Sequence, residues 1–147
     1  MDQQYSQPTW LITYHFVWAP MRSKPCLVGE IAARLQELIA EKSSGLPLRP
    51  MALVILPDRV YLAAQAPPTV APHHLICQLK AHTSRSLREE FPELTRIPTL
   101  WTRAYLVLAG ESLTKEDVLR LYEAALQPRR PRGRPRKPLA EPAGRDE

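Results

Sequence analysis

The residues with the plainest chemical purpose stand near the C-terminus. There, Arg129-Arg130-Pro131-Arg132-Gly133-Arg134-Pro135-Arg136-Lys137-Pro138 sets six cations into ten residues around a single glycine. Arg132-Gly133-Arg134 can lie extended on the floor of a narrow A·T minor groove, because glycine adds no side chain and the groove is strongly negative. The flanking prolines hold the ends extended, and Arg129, Arg130, Arg136 and Lys137 are placed for phosphates. A second set of cations lies upstream. Lys80, Arg85 and Arg88, with His82, share the polar side of one helical pattern, and Arg22 and Lys24 fall in a Pro-bracketed loop. Both sets suit the backbone of a nucleic acid.

The charge balance separates two regions. Residues 128–147 hold seven basic and three acidic side chains, whereas residues 1–127 hold 13 and 12. A near-neutral body with a basic appendage implies one domain over 1–127 and a tail over 128–147, where Pro and Arg leave nothing to build a core and disorder is expected. No apolar run approaches a membrane span, and Met1-Asp2-Gln3-Gln4-Tyr5 lacks the basic start of a signal peptide. Cys26 and Cys77 have no metal-ligand spacing and read as small apolar fillers of a reduced, cytoplasmic protein.

Several elements must position these groups. Trp10 to Trp18 is aromatic and β-branched, a buried strand that places Trp10 and Trp18 in the core; Trp101 to Ala109 is another, with Trp101 in the core. Ile31, Leu35, Leu38 and Ile39 give a helix over Val28 to Lys42, ended by Ser43-Ser44-Gly45. Arg49 to Leu56 and Arg59 to Ala66 form a hairpin across Pro57-Asp58. Leu75, Ile76, Leu79 and Leu87 give a second helix over Ala71 to Phe91, and Ser112 or Thr114 caps a third over Lys115 to Gln127. Strand, helix, strand, strand, helix, strand, helix predicts an α+β fold, a ferredoxin-like antiparallel sheet with helices packed on it.

From about Tyr14 to Tyr122 the chain resembles the single-tyrosine HUH transposases of small bacterial insertion sequences. The resemblance rests on Tyr14-His15-Phe16-Val17-Trp18-Ala19-Pro20, Leu27-Val28-Gly29-Glu30, Leu56-Pro57-Asp58-x-Val60-x-Leu62 and Ala66-Pro67-Pro68. It continues in Gln78-Leu79-Lys80, in Ser84-Arg85-x-Leu87-Arg88-Glu89-Glu90-Phe91-Pro92 and in Leu100-Trp101-Thr102 through Tyr105. It implies a homodimer with joined sheets acting on hairpin or single-stranded DNA. It also implies two histidines holding a divalent metal (Mg or Mn), and a helical tyrosine that attacks the scissile phosphate. The tail resembles an AT-hook.

The ligand positions implied by that alignment hold Arg59 and Tyr61. A guanidinium has no lone pair to give, and a neutral phenol is a poor replacement for imidazole. Arg59 can instead grip a phosphate where the cation sat. His15 belongs to the first strand, His73 and His74 are adjacent, and His82 lies on the second helix; none restores the pair. The family's nucleophile spacing, counted from Val118, lands on Leu121. The tyrosine comes one later, at Tyr122, about 100° further round the helix and so expected to point elsewhere. The expectation is a DNA-binding protein without strand cleavage and without a metal cofactor, its body on hairpin or single-stranded DNA and its tail on AT-rich duplex. Two alternatives stay open: an active transposase using Tyr122, and a structural dimer that binds no DNA.

Overall fold

The computed structural model describes residues 11–126. Strand β1 (Ile12–Pro20) leads through a 3-10 turn (Met21–Ser23) to helix α1 (Gly29–Ser44). Strands β2 (Arg49–Leu56) and β3 (Arg59–Ala66) follow as a hairpin, then helix α2 (Pro72–Glu90) and a 3-10 turn (Pro92–Arg96). Strand β4 (Trp101–Ala109) and helix α3 (Lys115–Leu126) complete the order. The sheet runs β2-β3-β1-β4 with every pair antiparallel, the ferredoxin-like arrangement. Trp10, Gln127 and the whole basic tail, with Arg129, Arg130, Arg132, Gly133, Arg134, Arg136 and Lys137, lie outside the described residues.

Alternation along the central strands builds two cores, because successive strand side chains point to opposite faces. Phe16 and Trp18 of β1 join Val60, Leu62, Ala64 and Ala66 of β3 beneath α1 and α2. Val17 and Ala19 join Tyr61 and Ala63 on the other face, beneath Val118 and Tyr122 of α3. The helices therefore cover both faces rather than forming one layer, which explains why β1 is buried almost throughout. Among the described residues β1 begins at Ile12, after Leu11.

Local chemistry fixes the element ends. Thr114 Oγ1 accepts from the Asp117 N–H at 3.1 Å, while Asp117 Oδ2 accepts from the Thr114 N–H at 3.4 Å, a reciprocal cap that starts α3. Trp101 is held at the mouth of β4 by its indole N–H, which donates to Thr83 Oγ1 at 3.0 Å inside the core. Trp18 packs edge-on against Trp101, so both belong to the core as expected. Between Trp18/Tyr105 and Pro20/Trp101 the register slips, leaving Thr102–Ala104 of β4 bulged outward opposite Ala19. Among the described residues no helix is long and apolar enough to cross a membrane.

Candidate nucleic-acid interface

The α3 face of the sheet gathers the residues on which catalysis would depend. Arg59, Tyr61 and Ala63 alternate along β3 and face α3 together. Tyr61 is 3% exposed, and its hydroxyl is hydrogen-bonded to His15 Nδ1 at 2.8 Å. His15 Nε2 lies 2.8 Å from the Gly110 carbonyl, which can only accept. Nε2 therefore donates to that carbonyl, and Nδ1 is engaged by the phenol. Nothing in the sequence ties these side chains together, since 46 residues separate them. Burial pushes the Tyr61 phenol pKa up, aided by Glu116, so Tyr61 stays neutral.

Arg59 sits at the entrance of the same face. Its Nη1 donates to Glu123 Oε2 of α3 at 2.9 Å, and its Nε to Asp58 Oδ1 at 3.3 Å. Its guanidinium carbon lies 5.3 Å from the centre of the Tyr122 ring. Burial works against the charge, yet the Glu123 and Asp58 pairs outweigh it and hold the pKa above the ordinary arginine value. Asp58 of the β2–β3 turn, with Tyr122 and Glu123 of α3, thus occupies a group expected to be open to phosphate.

The placement of Tyr122 differs from the sequence-based expectation. Tyr122 is 9% exposed and faces the sheet beneath Arg59, while Leu121 is 45% exposed on the outside of α3. Tyr122 lies four residues after Val118, one helical turn, so the two share the buried stripe. The residue at the family's nucleophile spacing is thus an exposed leucine, while the tyrosine packs against the sheet beside Arg59. Burial raises the Tyr122 phenol pKa, only partly offset by the Arg59 charge.

These donors do not fit a divalent cation. A guanidinium cannot coordinate, Tyr61 is a neutral phenol bound to His15, and His15 has both nitrogens engaged. Among the described residues no three His, Cys, Asp or Glu side chains come together as a ligand set.

The cations expected to line DNA are scattered by the fold. Lys80 is not a free contact: its Nζ donates to the Thr102 and Arg103 carbonyls at 2.8 and 3.4 Å and lies 5.4 Å from the Tyr105 ring centre. It satisfies the carbonyls of the β4 bulge, and burial lowers its pKa. Arg88 donates to the Pro98 carbonyl at 3.0 Å, while Arg85, Arg22 and Lys24 are exposed. The bulge exposes Arg103, which the strand pattern had concealed. Cys26 is half-buried, but Cys77 is exposed beside His73 and fills no core gap.

The profile described as "Transposase IS200 like" matches residues 8–122. The chain belongs to the IS200-like transposase family. It is 24% identical over 116 residues to the ISDra2 transposase TnpA of Deinococcus radiodurans, covering 77% of this chain and 83% of that protein. The crystal structure of a transposase from Deinococcus radiodurans R1 superposes with a TM-score of 0.71 at 26% identity, over 80% of this chain and 92% of that one. This IS200-like chain thus keeps the family's sheet and helices, while its α3 face carries an arginine salt-bridge cluster and a tyrosine–histidine pair.

Proposed function

We propose that this member of the transposase family binds DNA without cutting it. The observation that carries the reading is Arg59. It stands at an alignment-implied ligand position as a cation, and its partners Asp58, Glu123 and Tyr122 fasten α3 over the place where a metal would polarise a phosphate. Strand cleavage of the family type uses a cation and a phenol free to attack, and the Arg59 guanidinium with the Tyr122 ring packed against it favours binding without that step. The body then holds hairpin or single-stranded DNA through exposed cations such as Arg22, Lys24 and Arg85, without Mg or Mn. The tail adds minor-groove affinity for AT-rich duplex and raises the body's effective concentration on DNA. A homodimer remains part of the reading, because β2 and β4 each have one unpaired edge within the described sheet.

The test uses the full chain with end-labelled hairpin-forming oligonucleotides, in EDTA and in Mg or Mn. Retarded, non-covalent complexes of equal strength in both conditions are expected. A covalent protein–DNA adduct that needs metal and disappears in Tyr122→Phe overturns the proposal. Such an adduct would establish the active reading.

A further inference from the structure

At the end of the sheet where β1 closes and β4 opens, a cavity of about 380 Å³ lies between the Met21–Ser23 turn and the segment leading into β4. Its lining has two characters. Met21, Ile97 and Pro98 supply apolar walls, and Arg22 and Lys24 supply exposed cations. Among the described residues, neither cation has a carboxylate within ion-pair distance, in contrast to Arg34 and Arg59.

Both walls are fastened. The Met21 N–H donates to the Leu100 carbonyl at 2.8 Å, and the Lys24 N–H returns to the Met21 carbonyl at 3.2 Å. Arg88 pins the other wall through the Pro98 carbonyl at 3.0 Å. Arg22 and Ser23 are successive non-glycine residues in the left-handed region, with φ of 59° and 54°. Such backbone is disfavoured and is retained where the surroundings over-determine it, commonly at ligand-binding turns. The Leu27 N–H bonds the Pro57 carbonyl at 3.0 Å, tying this corner to the β2–β3 turn beside Arg59.

We propose that this cavity takes one unpaired nucleotide of a DNA single strand. Its base lies between Met21 and the Ile97–Pro98 wall, and its phosphate is held by Arg22 and Lys24. The volume falls within the range of sites that enclose small molecules, about 300–1,000 Å³. An apolar slot lined also by exposed cations matches the two chemistries of a nucleotide, a flat apolar base face and a phosphate anion. A fully paired duplex offers the phosphate without a base free to enter. The assignment rests on the DNA-binding reading and adds to it a site separate from the Arg59–Tyr122 face.

The experiment photo-crosslinks the full chain to oligo(dT) carrying 5-iodo-2′-deoxyuridine, with peptide mapping and parallel affinity measurements at low salt. Crosslinks on Met21 or on Ile97–Pro98 are expected. Arg22→Ala/Lys24→Ala should weaken oligo(dT) binding about tenfold through two lost phosphate contacts. Arg49→Ala/Arg120→Ala removes the same charge from exposed positions on other elements and should cost clearly less. Equal losses in the two double variants, or crosslinks confined to other peptides while binding persists, overturn the pocket and leave the DNA reading intact. Thymidine monophosphate competing as strongly as the oligonucleotide overturns the strand assignment in favour of a free nucleotide. Failure of the wild-type chain to bind oligo(dT) removes this inference, and failure on hairpins as well removes the DNA reading too.

Discussion

The guanidinium of Arg59 stands 5.3 Å from the centre of the Tyr122 ring while donating to Glu123 one residue further along the same helix. One side chain from β3 therefore holds α3 by its aromatic face and its carboxylate together. Cation–π contacts at partly exposed sites contribute about 0.5–1 kcal/mol, and a pair with an exposed carboxylate rarely adds more than that. Arg59→Ala is expected to lower stability by about 1 kcal/mol, read as a lower urea midpoint at unchanged slope. The same variant should loosen α3, seen as faster amide exchange there than in α1. Unchanged exchange in α3 would mean that Val118 and Tyr122 packing alone holds the helix.

Reading the sequence for alternation and helical spacing recovers most of this architecture, because a half-buried strand or helix writes its own period into the chain. Phe16 and Trp18 against Val17 and Ala19 show why: β1 is apolar on both faces, so its strand character is plain, but which helices cover which face is not. The Tyr122 error has the same physical root. Counting from Val118 to a family spacing made Leu121 the reference, although the four-residue step from Val118 to Tyr122 already places both on one stripe. The His15–Tyr61 bond and the capture of Lys80 by bulge carbonyls depend on strand register, which no local pattern encodes.

Thr83 is a buried polar residue with two obligations. Its hydroxyl donates to the Leu79 carbonyl at 2.8 Å and accepts the Trp101 indole N–H at 3.0 Å. Thr83→Val keeps the shape but orphans the indole donor inside the core, at a cost of about 1–3 kcal/mol. Thr83→Ser keeps the acceptor and should lose markedly less. Thermal or urea unfolding of the pair checks this, and equal losses would show that the methyl group rather than the hydrogen bond matters.

Alkaline titration separates the two buried phenols from an ordinary tyrosine. Burial raises the pKa of both Tyr61 and Tyr122 above the usual value of about 10. A raised folded-state pKa means that the stabilisation from the neutral phenol is complete below about pH 10. It drains away as pH climbs through the higher folded values, because the unfolded chain releases those protons first. Tyr61→Phe/Tyr122→Phe removes both ionisations, so its stability should fall less steeply between about pH 10 and 12 than that of the wild type. Tyrosinate absorbance followed with far-UV circular dichroism measures both, and identical slopes would contradict the burial argument.

The tail makes a separate, electrostatic prediction. Each phosphate contact steepens the salt dependence of duplex binding by nearly one in the log–log slope. Deleting residues 128–147 removes six closely spaced cations from 129–137. The slope on AT-rich duplex should become shallower by several units and the preference over GC-rich duplex should vanish, while oligo(dT) binding by the body persists. Fluorescence anisotropy across a salt series checks this. An unchanged AT preference would move minor-groove recognition away from Arg132-Gly133-Arg134.

Placing histidines at the two alignment-implied ligand positions is the most direct test of the non-cleaving proposal. Positions 59 and 61 lie on the same face of β3, so Arg59→His/Tyr61→His presents two imidazoles toward α3. The second change also releases His15 Nδ1 from the Tyr61 hydroxyl, leaving a third donor nearby. Calorimetric titration with Mn²⁺ or Co²⁺ should show binding at least tenfold tighter than to the wild type, for which Arg59 offers only repulsion. No covalent adduct with hairpin DNA should accompany it, because Tyr122 is packed against the sheet and exposed Leu121 has no nucleophile. Metal binding without an adduct assigns the missing chemistry to two places, the ligands on β3 and the register of α3. An adduct in the rebuilt variant would instead show that Tyr122 can leave its packing position and that only the ligands were lost.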